Sequence, residues 1–368
     1  MIGRTSADAS ERILVRCPNW LGDLVMSTPG LRALRAAHPD AWIVAQMPAK
    51  LIPLLEGADL CDELWPIEPR SAGVRALRAE AARVAQGRFD RGVIIPESIS
   101  SALRMRWGRV GRIIGFARDP LRRLLLDEVV PAPREWGRRR LVSRERFVAC
   151  LMESLGAPTG DLRLTLQVSH EEEARLGVLL AEHDFDLERL RRDRPVVIAP
   201  GASFGTSKCW PAESYAELAD RIAQQGLPVI LLGGPGESAV LRAVQGAMKS
   251  KAIAFDAALD LGAVKALLRT SRALISNDAG ARHVAAAFGV VGVVFLGPTS
   301  IEKTAENLDR IVVLESEHDC RPCYKRTCPI DHRCLRSISV ETAEAALTRA
   351  LRSANEPVPL AAASGATR

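Results

Sequence analysis

Asp23 stands in the stretch ILVRCPNWLGDLVMSTPG, Ile13 to Gly30, where an apolar strand-like run gives way to a helical one. A plain strand-to-helix turn needs neither an indole nor a carboxylate, yet Trp20 and Asp23 both sit at this bend. A carboxylate at the end of a buried strand can take a proton from a bound hydroxyl. It can equally cap the helix that follows, the blander use. Lys208 belongs to a second loop of this kind, APGASFGTSKCWP from Ala199 to Pro211. Its small residues, Gly201, Ala202, Ser203 and Gly205, allow close approach of the backbone to a ligand, and a lysine beyond them can neutralise a phosphate. It is not a Walker motif, because Ser207 rather than glycine precedes the lysine. Taken singly, such a loop is more often a surface turn with a solvated lysine.

A third loop, ISNDAGARHVAAA from Ile275 to Ala287, offers Asn277 or Asp278 as a helix cap and opens the helix with Ala279 and Gly280. Free N–H groups and the positive end of the helix dipole make such a point an anion site. His283, one turn in, reads either as a ligand contact or as a satisfied buried histidine. One capped helix carries little weight, but two anion-suited loops in the same half of the chain favour a diphosphate.

Other features pull elsewhere. Gly234-Pro235-Gly236-Glu237-Ser238-Ala239 fits G-x-G-x-x-A, with Asp256 about twenty residues on, as a dinucleotide fingerprint requires. Its proline disfavours the tight turn, and one α/β unit precedes it. It supports a second reading, an NAD-dependent oxidoreductase, for which no hydride-transfer partner is evident. Ser98 to Arg140 is rich in arginine: RMRWGRVGR, ARDPLRR and PREWGRRR. Guanidinium forks match carboxylates and phosphates, although most such runs are solvated helix faces. Aromatic residues make up only 4% and do not interleave with the charges, so nucleic acid is a poor fit. HDCRPCYKRTCPIDHRC, His318 to Cys334, clusters Cys320, Cys323, Cys328 and Cys334 beside His318 and His332. The spacing matches no standard zinc module, and a structural zinc, a redox dithiol and reduced thiols packing a loop all remain open.

The elements that must position these loops are legible from apolar periodicity. The 368 residues suffice for two domains, and 47% hydrophobic with 26% charged residues is a globular composition. The formal charge of +6 points to an anionic partner without naming it. The polar N-terminus is no signal peptide, and the most apolar run, Val284 to Leu296, is too short for a bilayer. A cytoplasmic protein with mostly reduced cysteines is expected. Short apolar runs alternate with amphipathic stretches in both halves. Strands are predicted near Ile13, Trp42, Glu63, Gly92 and Arg112, then near Pro195, Pro228, Ala252, Ala273, Gly292 and Arg310. Such continuous apolar strands between helices mean α/β sheets, parallel and covered on both faces. The domains are placed at 12–180 and 190–338, followed by a helix at 339–353 and a disordered small-residue tail at 354–368. In doubly wound sheets ligands bind beyond the carboxyl ends of the strands, where all three loops lie.

NWLGD, PGASFGTSKCWP, SNDAGARHVAAAFGVVGVVFLGPTS and CPIDHRC, in that order, resemble the ADP-heptose:lipopolysaccharide heptosyltransferases of glycosyltransferase family 9. The similarity runs from about Arg12 to Arg352. Trp20 before Leu21-Gly22-Asp23 is more like the type II members, since type I members tend to have a small polar residue there. The resemblance implies a GT-B fold, two Rossmann-like doubly wound domains with an interdomain cleft. It implies inverting transfer of heptose from ADP-heptose to the first heptose of a lipid A-linked inner core, at the cytoplasmic face of the inner membrane, without a metal cofactor. Asp23 would be the general base, and Lys208, Asp278, Ala279 and Gly280 would hold the donor diphosphate. Ala279 departs from the Ser or Thr frequent in the family, which removes a hydroxyl contact. Ser203, Gly205, Glu237, Asp256 and His283 are further expected donor contacts, with Glu237 on a ribose hydroxyl. Trp20, Arg118 and Arg122 are expected on the acceptor. A different acceptor within the family is the nearest alternative, and a catalytically inactive binding protein a more distant one.

Overall fold

The computed structural model describes residues 9–67, 73–137, 140–256 and 258–353. The tail at 354–368, expected to be disordered, lies outside them.

The first half begins with β1 (Glu11–Arg16), α1 (Leu21–Val25), α2 (Thr28–Ala37), β2 (Ala41–Pro48) and β3 (Glu63–Ile67). It continues through α3 (Gly73–Gly87), β4 (Arg91–Ile94), α4 (Ile99–Trp107), β5 (Arg112–Gly115), α5 (Pro120–Arg123), β6 (Glu128–Val129) and α6 (Arg144–Glu153). Next come α7 (His170–Ala181), α8 (Leu187–Asp193), β7 (Val196–Ala199), α9 (Ala212–Gln224), β8 (Val229–Gly233), α10 (Ser238–Ala247) and β9 (Ile253–Asp256). The chain ends with α11 (Leu261–Thr270), β10 (Ala273–Asn277), α12 (Gly280–Ala287), β11 (Val291–Leu296), β12 (Ile311–Glu315), α13 (Arg333–Arg336) and α14 (Val340–Ser353).

Two parallel six-stranded sheets result, ordered β3-β2-β1-β4-β5-β6 and β12-β11-β10-β7-β8-β9. Both follow the doubly wound order, which reverses between β1 and β4 in one sheet and between β7 and β10 in the other. Ligand crevices open beyond the carboxyl ends at such reversals. The segments that follow β1 and β4 carry Asp23, in α1, and Glu97, and the loops after β7 and β10 carry Lys208 and Asp278. The register matches Ser276 with Ala199, so the last two loops leave their sheet side by side.

The central strands are apolar and fully covered, as for Ile13, Leu14 and Val15 or Val196, Val197 and Ile198. One face of each sheet contributes to a single apolar cluster that runs through the contact between the domains. The outer face of the second sheet packs on α9, α10 and α14 around Trp210, whose ring stacks on Phe295 at 4.2 Å.

Two domain assignments shift. α7, expected to close the first domain, packs on α11 of the second, because buried Glu172 pairs with fully buried Lys265 at 2.9 Å. α14, expected as a separate helix, packs on α9, β11 and β12. The two-residue β6 and the helices α4 and α5 lie in the arginine-rich region, where charge obscures the apolar period.

Candidate active site

Lys208 ends a 3-10 turn at Thr206–Lys208, and its side chain is only 12% exposed. Its Nζ donates to the Asp278 carbonyl at 2.6 Å and to Oδ2 of the same residue at 2.8 Å. Thr299 Oγ1 also donates to Oδ2, and Arg282 Nε lies 3.4 Å from Oδ1. Burial would raise the Asp278 carboxyl pKa, but Lys208 and Arg282 outweigh it and hold the value at about 2. The carboxylate is therefore spent on orienting Lys208 and offers no direct donor contact. Asn277, expected as a cap, instead binds the Trp210 N–H, the Tyr215 hydroxyl and the carbonyls of Pro200 and Gly201. It ties the β7 loop to the β10 loop. Ala279 occupies the N-cap of α12 with no side-chain bond, so the first-turn N–H groups lack a side-chain acceptor. A lysine and an uncapped helix start then face one point, the arrangement an anion requires.

The first domain meets this point at α1. A Cβ on Gly22 would lie 2.8 Å from His283 Cδ2, and one on Gly280 would lie 2.7 Å from Leu21 Cδ2. Both glycines are thus required by the close approach of α1 and α12. His283 is buried, and its Nε2 accepts from Arg282 Nε at 3.3 Å. Burial and the neighbouring Arg282 push its pKa well below the usual value, so the ring is neutral. The donor contact expected of His283 is corrected to an interface role, because its ring faces Gly22 rather than open space. Asp23 lies inside the first turn of α1, and its carboxylate caps nothing. Its side chain is 30% exposed and approaches Arg144 Nε at 3.7 Å. Trp20 is 51% exposed at the same bend, a large apolar surface left for a ligand.

A cationic rim surrounds Asp23. Glu97, after β4, pairs with Arg140 and, at 3.2 Å, with Arg118. Arg144 lies over the Phe147 ring, and Lys303 of the second domain lies over Tyr324. Burial, then Arg144 and Arg118, lower the Lys303 pKa against the pull of Asp23 and Glu97, which sets all five groups in one neighbourhood. Arg118, expected on the acceptor, lies half-exposed on this rim. Arg122 does not: it is fully buried and donates to the carbonyls of Phe116, at 2.6 Å, and Ser98. It clips the β5 loop to the β4 loop and cannot reach an acceptor. Below the rim, Glu145 of α6 accepts from Asn307 across the domains at 3.2 Å. Burial raises its pKa to about 7.

The remaining donor-side residues fall into two groups. Glu237 Oε2 accepts from the Gly234 N–H at 2.9 Å, and Oε1 takes the Ser203 hydroxyl at 3.5 Å. A Cβ on Gly201 would lie 2.2 Å from that carboxylate. The N–H a dinucleotide pyrophosphate would need at Gly234 is thus occupied from within the turn, against the oxidoreductase reading. Gly205 has φ +148°, and a Cβ there would lie 2.2 Å from the Arg326 carbonyl. Its smallness serves the loop at 316–334, which also receives the Ser207 N–H, rather than a phosphate. Asp256 stands apart, 3.5 Å from Arg242. The four cysteines of that loop are free, and among the described residues no three His, Cys, Asp or Glu side chains are arranged to hold a metal.

Asn277, Thr299, Arg140, Arg144 and Lys303 escaped the sequence reading as site residues. Arg140 stood within the quoted PREWGRRR run. Lys303 was findable as one of few lysines in an arginine-rich chain, a few residues beyond a buried strand.

Residues 77–333 match the model of glycosyltransferase family 9 (heptosyltransferase). Lipopolysaccharide heptosyltransferase 2 of Salmonella typhimurium is 30% identical over 80% of this chain and 84% of its own. Lipopolysaccharide heptosyltransferase 1 of Pseudomonas aeruginosa is 31% identical over 86% of this chain and 87% of its own. The solved structure of E. coli ADP-heptose lps heptosyltransferase II superposes with a TM-score of 0.77 at 26% identity, covering 93% of this chain and 99% of that one. The structural match spans both domains, and the chain belongs to glycosyltransferase family 9, the heptosyltransferases.

Proposed function

We propose that this glycosyltransferase moves a heptose from ADP-heptose to the first heptose of a lipopolysaccharide inner core, inverting the anomeric carbon. The observation that carries the reading is the pairing across the cleft of an accessible, uncapped Asp23 with an Asp278-held Lys208 at the bare start of α12. In one displacement, Asp23 takes the proton of the acceptor hydroxyl as its oxygen bonds to the anomeric carbon. The bond from that carbon to the diphosphate oxygen breaks, and ADP leaves with the electron pair. Lys208 and the α12 N–H groups meet the charge that develops on the diphosphate. These groups provide the charge that a divalent ion would otherwise supply, so transfer is expected to proceed in EDTA.

Arg118, Arg140, Arg144 and Lys303 suit an acceptor bearing acidic sugars and phosphates. The exposed Leu121 and Leu124 beside Arg123 suit peripheral contact with an anionic membrane surface, where a lipid A-linked acceptor resides. Among the described residues no helix is long and apolar enough to cross a membrane.

The similarity to a type 1 enzyme keeps a second acceptor in view. ADP release is the test, with ADP-heptose and two lipid A-linked acceptors, one ending in heptose and one lacking it. Release with the heptose-terminated acceptor alone is expected. Release only with the other would overturn the acceptor, and release with neither would overturn the reaction.

A further inference from the structure

The end of the second sheet that faces away from Asp23 holds a cavity of about 490 Å³. Arg194, Arg269, Arg272, Arg310 and Arg352 line it. Arg194, Arg272 and Arg310 immediately precede or lie beside the starts of β7, β10 and β12, so the topology gathers them on one rim. Among the described residues, Glu173 is the one carboxylate that pairs with any of the five, through Arg269. Arg272 is half-buried, and its Nε is buried with no hydrogen-bond partner.

Arginines at helix C-termini often answer exposed carbonyls, and α9, α11, α12 and α14 all end here. Arg194, for one, donates to the Ser271 carbonyl at 3.2 Å. Four helix ends carry roughly half a negative charge each, so five guanidinium groups less Glu173 exceed them by about two charges. Capping accounts for some of this rim and leaves the excess, together with the unpartnered Arg272 Nε, unexplained. Guanidinium forks match phosphate oxygens, and the volume exceeds what one phosphate fills.

We propose that this cavity is a second anion site, remote from the transfer cleft, for a ligand carrying two or more phosphate groups. The ligand is either a free polyphosphate-bearing small molecule or the head of an anionic lipid.

Tripolyphosphate is the probe, titrated by calorimetry with ADP in excess to fill the cleft. One tripolyphosphate per chain is expected. Arg272→Gln/Arg310→Gln should weaken it roughly a hundredfold, about tenfold for each charged hydrogen bond lost. The exposed pair Arg194→Gln/Arg352→Gln should also weaken it, and a melting curve checks that each variant folds. Vesicles of anionic phospholipid separate the sources. If they bind wild type, fail with the variants and yield to tripolyphosphate, the ligand is a lipid head; if they do not bind, it is the free anion. No binding by the ADP-filled wild type, or equal affinity in all variants, overturns the site.

Discussion

In the proposed transfer Asp23 and Lys208 divide the chemistry, and single substitutions separate their parts. Asp23→Asn should keep the fold, since the carboxylate caps nothing in α1. Transfer should fall roughly 10²- to 10⁴-fold, the usual worth of a general base. Near-normal turnover of ADP-heptose by that variant would remove Asp23 as the base. Lys208→Ala should lower turnover roughly 10²- to 10³-fold, as for loss of one oxyanion-type donor. It should also cost stability, about 1–3 kcal/mol, because Asp278 stays buried with only Arg282 and Thr299 beside it. Lys208→Ala/Asp278→Asn should recover the melting temperature and not the turnover. Recovery of both would make the lysine structural. Because the Asp278 carboxyl is held at about 2 from 3.8, the pair's contribution is whole above pH 4 and fades as pH falls toward 2. Residue type and loop position made Asp23 and Lys208 candidates beside blander uses, and only the family resemblance gave them roles. The roles of Gly205 and His283 were not, because the groups they touch, Arg326 and Gly22, are distant in sequence.

Helix α6 shows what periodicity conveys about an element and what it omits. Its apolar face predicts burial, but Glu145 on that face is 1% exposed and packs against Asn307 of the other domain. Burial raises its pKa from 4.5 to about 7, so the folded chain holds a proton there that the unfolded chain releases earlier. Wild-type stability should therefore fall as pH rises from about 4.5 to about 7 and then level off. Glu145→Gln should flatten that slope. It should exceed wild type above pH 7 by up to about 3 kcal/mol, at about 1.36 kcal/mol per unit. Parallel denaturant titrations at pH 5 and pH 8 check this, and an unchanged slope would place the charge elsewhere. The strands of both sheets, except the two-residue β6, were readable because each is a short apolar run between helices. α4 and α5 were not, because arginine stems cover apolar surface without registering as apolar. The domain boundary slipped for a related reason: the charged α7 is anchored by Glu172, and no local pattern shows that its partner is Lys265.

At the scale of the molecule, the two domains touch through α1 on α12, α6 on the turn at 301–304, and the turn at 49–54 on α11. Gly22 is one of the tight points. Gly22→Ala should push His283 and α12 away by a few tenths of an ångström, spoiling the alignment of Asp23 with the donor. Transfer should drop at least tenfold, since ångström-scale misplacement costs up to about 10²-fold, with little change in melting temperature. Gly22→Ala/His283→Ala should restore much of it. If the double variant is no better than the single, the steric account fails. The membership of α7 and α14 in the second domain has a further consequence. Among the described residues, the chain passes from one half to the other once, between 157 and 169. Each half is then one uninterrupted stretch of coding sequence, so a single recombination event in that short window exchanges the half that carries Asp23 while leaving the half that carries Lys208 intact.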